Sequence, residues 1–269
     1  MILDKLAESS RARVMREMEQ VPLEEMKRRA FLLTEEKKEF PFEKALQKRD
    51  INFICEVKKA SPSKGIIAED FPYLEIGEEY EEAGAACISV LTEPEYFLGK
   101  NEYLTAIAEA VSIPVIRKDF TVDEYQIYQA KTIGASCVLL ICALLDLETL
   151  KHYLAVCDSL DLSALVEAHD EKEIQMALDA GARIIGVNNR DLRTFEVDIH
   201  NSERLRKLVP EHVLFVAESG IKTAEDIQVL REAKVNGVLI GETFMRSRDK
   251  KCMLEKLRGE NKNFRKNWR

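Results

Sequence analysis

Glutamates and lysines recur at the ends of short apolar runs in this sequence, spaced so that neighbours share a face. In EVKKASPSKG (56–65) Glu56 and Lys58 stand two apart. Side chains alternate sides along a strand, so both project the same way. Ile116, Lys118 and Phe120 share a face in IPVIRKDF (113–120), as do Leu165 and Glu167 in ALVEAHD (164–170). Asn188 and Arg190 end a sixth run, Glu218 and Ser219 a seventh. An exposed ion pair contributes only about 0–1 kcal/mol, and an interior pair costs free energy unless it is compensated. Two acids beside two lysines at close range perturb one another's pKa values, which is how acid–base pairs are made for work near neutral pH. Singly, each residue has a plainer reading. Lys118 reads as a solvated loop lysine, Glu167 as a helix cap, Arg190 as a partner of Asp191 or Glu196, and His169 as a loop residue. His169 lacks an H-E-x-x-H partner, so no metal site is expected.

A second signal lies in ESGI (218–221) and IGET (240–243), where Gly220 and Gly241 follow apolar runs. Glycine lets a ligand approach backbone N–H groups closely, and helix N-termini favour anions. Lys58 is placed to add positive charge to the same anion. Two ordinary left-handed turns are the alternative.

These residues need a frame. Eight apolar runs, 53–58, 86–91, 114–119, 136–142, 163–168, 183–188, 212–218 and 236–241, alternate with longer amphipathic stretches. EEAGAACISV, KTIGASCVLL and LDAGARIIGV echo one another, with Gly84, Gly134 and Gly181 in the left-handed position that ends a helix. EAKVNGVLI repeats the echo without the glycine. Strand–helix alternation of this kind means a parallel sheet. The expected fold is α/β, a closed (β/α)8 TIM barrel over residues 51–257, after an N-terminal helical extension (1–50) and before a basic tail (258–269), all as one domain. An open doubly wound sheet is the alternative, and it lacks a G-x-G-x-x-G after the first strand. In a barrel of this type chemistry sits at the C-terminal strand ends, and the loops after strands 7 and 8 commonly bind phosphate.

The 269 residues carry a net charge of −8, which argues against nucleic acid or an anionic membrane as a partner. The tail ENKNFRKNWR (260–269) reads as a frayed end. Cys55, Cys87, Cys137 and Cys142 lie in apolar runs and Cys157 on a helical stretch, as buried free thiols of a reducing cytosol do. With neither a signal peptide nor an apolar run of about 18 residues, a cytoplasmic protein is expected, and a monomer.

The same stretches, with SVLTEPEYFLG (89–99), GVNNRDLRTFEVD (186–198), VAESGI (216–221) and VLIGETFM (238–245), resemble the indole-3-glycerol phosphate synthase family. ILDKLAESSRARV (2–14) and VPLEEMKRRA (21–30) resemble that family's N-terminal extension. The resemblance implies a tryptophan-pathway lyase. It would convert 1-(2-carboxyphenylamino)-1-deoxyribulose 5-phosphate to indole-3-glycerol phosphate, with loss of CO2 and water and with no cofactor. It implies that Lys118, desolvated and titrating near neutrality, is the general acid of ring closure, positioned by a pair with Glu56. Glu167 is implied as the acid/base group of dehydration, and Lys58 as holding an anion or as the acid of that step. Asn188 and Glu218 are implied to contact the ribulose hydroxyls, and Arg190 to shape the mouth. Phe97, Phe120, Leu139 and Leu192 are implied to wall the aromatic ring, with Ser61 in a loop after strand 1. Ser219, Gly220, Gly241 and Glu242 are implied to cradle the phosphate. Two departures stand out. Glu8, Ser9 and Ser10 replace basic and aromatic residues of the extension, and Glu242 replaces a serine, so its carboxylate must point away. The rivals are another phosphate-binding barrel, such as phosphoribosylanthranilate isomerase or a thiamine-phosphate synthase, and a catalytically silent scaffold.

Overall fold

Alternate residues of the apolar runs separate into two cores. The structure, a computed structural model, describes residues 2–35, 37–191 and 196–260. Eight parallel strands close into a barrel in chain order: β1 (Asn52–Val57), β2 (Cys87–Leu91), β3 (Val115–Lys118), β4 (Cys137–Ile141), β5 (Ser163–Ala168), β6 (Ile184–Asn188), β7 (Leu214–Glu218) and β8 (Gly237–Ile240). β8 pairs back onto β1, Asn52 opposite Gly237. Ile54, Ile116, Leu165, Val216 and Leu239 fill the barrel interior, while Phe53, Val90, Val138, Ile185 and Phe215 face the surrounding helices. This is the (β/α)8 barrel the alternation predicts.

Three helices precede it: α1 (Ile2–Gln20), α2 (Leu23–Leu32) and α3 (Pro41–Leu46). Around it run α4 (Tyr73–Ala83), α5 (Asn101–Ala110), α6 (Glu124–Thr132), α7 (Leu147–Ser159), α8 (Glu171–Asp179), α9 (His200–Arg206), α10 (Ala224–Glu232), α11 (Glu242–Met245) and α12 (Lys250–Arg258). Helix starts carry capping acceptors. Asp123, Asp146, Asp170 and Asp249 each accept a backbone N–H, and Thr223 with Asp226 forms a capping box. Helix ends follow the echoed glycines, with φ of 90°, 89° and 85° at Gly84, Gly134 and Gly181. In the fourth copy Lys234 takes the left-handed conformation itself, at φ 59°.

The N-terminal end of the barrel is stopped by α3. Phe42 and Leu46 enter the interior core, and Glu43 accepts from Arg183 at 2.9 Å and from Ser163 at 3.4 Å. On the barrel's flank, α2 packs on α6, and Arg13 of α1 bonds Asp119 at 2.7 Å. Cys55, Cys87, Cys137, Cys142 and Cys157 are buried free thiols, and Cys252 is exposed. Cys142 opens a 3-10 turn beyond β4 and does not extend that strand. The basic tail beyond Glu260 lies outside the described residues.

With Phe42 fully buried, Phe42→Ala leaves a cavity at the base of the barrel. Urea unfolding is expected to show a loss of about 3–5 kcal/mol.

Candidate active site

The interior column of side chains is apolar up to the C-terminal strand ends, where it becomes ionic. β1, β3, β5 and β7 each end on the inward face with a charge: Glu56, Lys118, Glu167 and Glu218. All are at least 85% buried. They floor a cavity of about 550 Å³. Lys118 Nζ lies 3.3 Å from Glu218 Oε2 and 3.5 Å from Glu167 Oε2. Asn188 Nδ2 donates to Glu167 Oε1 at 3.3 Å. The expected Glu56–Lys118 pair is not the contact formed. Glu56 instead takes Lys58 of its own strand face, with Ser89 Oγ 3.5 Å from its other oxygen. The reason is room. A Cβ on Gly241 would lie 2.4 Å from Glu56 Oε1 and 2.8 Å from Lys58 Nζ, so the missing side chain holds the pair beside β8. Gly186 plays the same part for Glu218, whose Oε1 would lie 2.4 Å from an added Cβ.

The charges set one another's protonation. Burial by itself lowers the Lys118 pKa, toward the neutrality expected of it, but Glu218, Glu167 and Glu56 together outweigh burial and raise it. Lys118 is therefore a firmly held ammonium. Burial raises Glu218 to about 7, against the pull of Lys118 and with repulsion from Glu167 and Glu56. Among the described residues its buried Oε1 has no hydrogen-bond partner. Glu167 moves the other way. Burial opposes its charge, yet Lys118, His169 and Asn188 hold it below the usual carboxylate range.

The aromatic wall lies above β2, β3 and β4. The rings of Phe97 and Phe120 are 6.0 Å apart, and Leu139 lines the same cavity. Two buried acids that the sequence reading did not single out hold these rings. Glu93 accepts the N–H groups of Glu95, Tyr96 and Phe97 at 3.0, 2.7 and 3.0 Å. Asp119 accepts the Phe120 N–H at 2.8 Å, Thr92 Oγ1 at 2.6 Å and Arg13. Leu192 lies outside the described residues.

Across the mouth, Ser219, Gly220, Gly241 and Glu242 line the cavity from the ends of β7 and β8, with Lys58 beside them. Ser219 and Gly220 are left-handed, at φ 66° and 83°. Gly241 is not, at φ −109°, and caps the N-terminus of α11. The first N–H groups of a helix have no acceptor within it. The Glu242 carboxylate accepts from Arg246 at 3.0 Å, with Lys64 at 3.8 Å. Ser61 reaches the cavity from a short hairpin, Ala60–Ser61 against Gly65–Ile66, and Arg190 from the loop after β6. Ile2 and Leu6 of α1 line the cavity too.

His169 is the other residue the sequence reading undervalued. Its Nε2 lies 3.3 Å from Glu167 Oε1 and its Nδ1 3.0 Å from Glu173 Oε2. Burial lowers its pKa, but the two glutamates prevail and lift it to about 10. A signal was present. His169 is two residues beyond Glu167 on one face, and Glu173 follows four residues later.

A closed barrel with a buried acid–base cluster at its strand ends, an aromatic wall on one side and exposed backbone on the other defines an enzyme of the (β/α)8 class. Its shape recurs in solved structures of low identity. 3-Hexulose-6-phosphate synthase from Salmonella typhimurium matches with TM-score 0.64 and 13% identity, over 78% of this chain and 98% of that one. A thiamine phosphate pyrophosphorylase from Pyrococcus furiosus matches with TM-score 0.58 and 14% identity, over 78% and 94%. These show the fold alone. Sequence goes further. The family description "Indole-3-glycerol phosphate synthase" matches residues 3–257. Proteins of that name are 59% identical in Ruminiclostridium cellulolyticum, over 96% of this chain and 99% of the relative, and 57% identical in Endomicrobium trichonymphae, over 92% and 95%. The chain belongs to the indole-3-glycerol phosphate synthase family.

Two measurements test this geometry. Gly186→Ala overpacks the Glu218 carboxylate, and urea unfolding is expected to show a loss of about 1–3 kcal/mol. His169 has a folded pKa of about 10 against an ordinary 6.5. Its contribution to stability is therefore complete below 6.5 and is lost as pH rises toward 10. The thermal midpoint of the wild type is expected to fall over this range more steeply than that of His169→Gln. Equal slopes would refute the assignment.

Proposed function

We propose that the protein closes the indole ring of tryptophan biosynthesis. It converts 1-(2-carboxyphenylamino)-1-deoxyribulose 5-phosphate to indole-3-glycerol phosphate, CO2 and water, with no metal or organic cofactor. The observation that carries this reading is the Lys118 ammonium, held between Glu167 and Glu218 in a cavity that an aromatic wall and a backbone cradle also line.

The substrate spans those two ends. Phe97, Phe120 and Leu139 take the benzoate ring, and Ser219, Gly220, Gly241 and the Glu242 N–H take the phosphate, with Lys58 as countercharge. Ser61 closes the side of the mouth nearest β1, Arg190 shapes its rim, and Asn188 with Glu218 meets the ribulose hydroxyls. Holding both ends places the ring carbon that bears the carboxylate against the ketone, which removes much of the entropic barrier. As that carbon attacks, the carbonyl π electrons move to oxygen and Lys118 delivers a proton to it. A raised lysine pKa does not prevent this, because the forming alkoxide is more basic than an amine. Until transfer, the ammonium stabilises the growing charge. Glu218, protonated up to about pH 7, returns a proton to Lys118. Loss of the carboxylate as CO2 returns its electron pair to the ring, and the apolar wall favours that loss by dehydrating the carboxylate. The hydroxyl then takes a second proton, from the recharged Lys118, and leaves as water, while Glu167 takes the proton from the adjacent carbon of the new ring. Glu56 holds Lys58 in place and adds to the field at Lys118.

We also take the chain to act as a cytoplasmic monomer of one domain, without nucleic-acid or membrane partners. The net charge of −8 and the buried free thiols support this. Among the described residues no helix is long and apolar enough to cross a membrane. The α1–Asp119 and α3–barrel contacts support a single folding unit.

Purified protein mixed with the carboxyphenylamino substrate, without added metal, is expected to produce indole fluorescence at an enzymatic rate. Lys118→Ala is expected to lose about 10²–10⁴ in kcat with folding intact. Unchanged turnover in that variant would remove Lys118 from the mechanism.

A further inference from the structure

The proposed chemistry uses two buried carboxylates around one lysine and asks different things of each. Glu167 and Glu218 both contact Lys118, at 3.5 and 3.3 Å, and both are almost wholly buried. Left alike, they would share one proton between them. The difference lies behind Glu167, outside the cavity.

His169 stands in the turn between β5 and α8. Its backbone N–H and its ring Nδ1 both reach Glu173 Oε2, at 2.8 and 3.0 Å. One carboxylate oxygen thus fixes the ring plane and turns Nε2 toward Glu167 Oε1, at ion-pair distance. Among the described residues Nε2 is buried and makes no aligned hydrogen bond, so its approach to Glu167 is an ion-pair contact. Of the other groups packed against this turn, Asn201 of α9 donates to the His169 carbonyl, the Cys142 thiol is turned to the Glu173 carbonyl, and Asp170 caps α8. Among the described residues Glu167 and Glu173 are therefore the charges that face the imidazole. Glu167 has a cation on each side, His169 and Lys118, with Asn188 on the His169 side. Among the described residues Glu218 has Lys118 alone, and one of its oxygens is unpartnered.

We infer that His169, held by Glu173, is a positioning residue that orients Glu167 and decides which of the two buried carboxylates works as the base. The inference rests on the reading of Glu167 as the acid/base group of dehydration. Environments that push two carboxylates apart in this way separate their roles.

The test uses the full chain as His169→Gln and Glu173→Gln, with folding followed by circular dichroism. For His169→Gln, kcat is expected to fall roughly 10-fold, less than for loss of an acid–base group itself, with KM unchanged. The acid limb of the kcat–pH profile is expected to move to higher pH, because Glu167 loses the charge that keeps it ionised. Glu173→Gln keeps the imidazole and is expected to move the same limb by less in the same direction. Wild-type kcat and an unmoved profile in His169→Gln overturn the inference. If that variant does not fold, an unmoved limb in Glu173→Gln overturns it alone. A further readout separates the inference from the function on which it rests. Histidine ring NMR of the wild type is expected to show His169 protonated at pH 8, with Glu167→Gln lowering its titration point. A wild type that makes no indole refutes the function, while a His169 signal indifferent to Glu167→Gln refutes the coupling.

Discussion

A buried ammonium surrounded by an excess of buried carboxylates is the constraint around which this barrel is arranged. Lys118 meets Glu167 and Glu218 directly and feels Glu56 through space. Three acids around one lysine at the top of an apolar column would repel one another more than that lysine could offset. Each acid is therefore given its own answer. Glu56 takes Lys58, Glu167 takes His169 and Asn188, and Glu218 takes a proton. A single fixed cation thus stands among neighbours in different protonation states, which is what a reaction with several proton transfers requires.

Space is supplied as deliberately as charge. Gly186 and Gly241 leave room for the Glu218 and Glu56 carboxylates. The aromatic wall is held from behind, by Glu93 on the loop after β2 and by Asp119 on the loop after β3. Asp119 also receives Arg13, so α1 is tied to the residue next to Lys118. At the opposite end Phe42 and Leu46 stop the interior column. The mouth thus stands on a closed, packed floor, and its charges cannot relax downward.

The frame was legible because each strand is a short apolar run between helical stretches. The eight runs read from the sequence match the eight strands to within about two residues at either end, the usual uncertainty of element boundaries. Gly84, Gly134 and Gly181 marked helix ends for a local reason, their left-handed backbone. The candidate site was legible as strand-end charges, and the structure brings every described one to a single cavity. Their pairing was not legible. Whether Glu56 meets Lys58 or Lys118 depends on a void at Gly241, some 185 residues away and itself read as a turn. The Arg13–Asp119 bond spans 106 residues and leaves no local trace. The Glu167, His169 and Glu173 spacing was local and readable, but without the barrel it looked like a loop histidine near a helix start.

Closure of β8 onto β1 has a consequence for how the chain is made. The partners Asn52 and Gly237 are joined in register only when nearly the whole sequence exists. At ribosomal rates of about 5–20 residues per second, β1 waits about 10–40 s for its last neighbour. Throughout that interval NFICEV offers one unpaired edge, the kind of strand that recruits other chains. Lys58, Lys59 and Lys64, immediately downstream, place like charges beside that edge. Lys58 and Lys64, which line the mouth of the finished barrel, thus also set charge beside the open edge of the unfinished one.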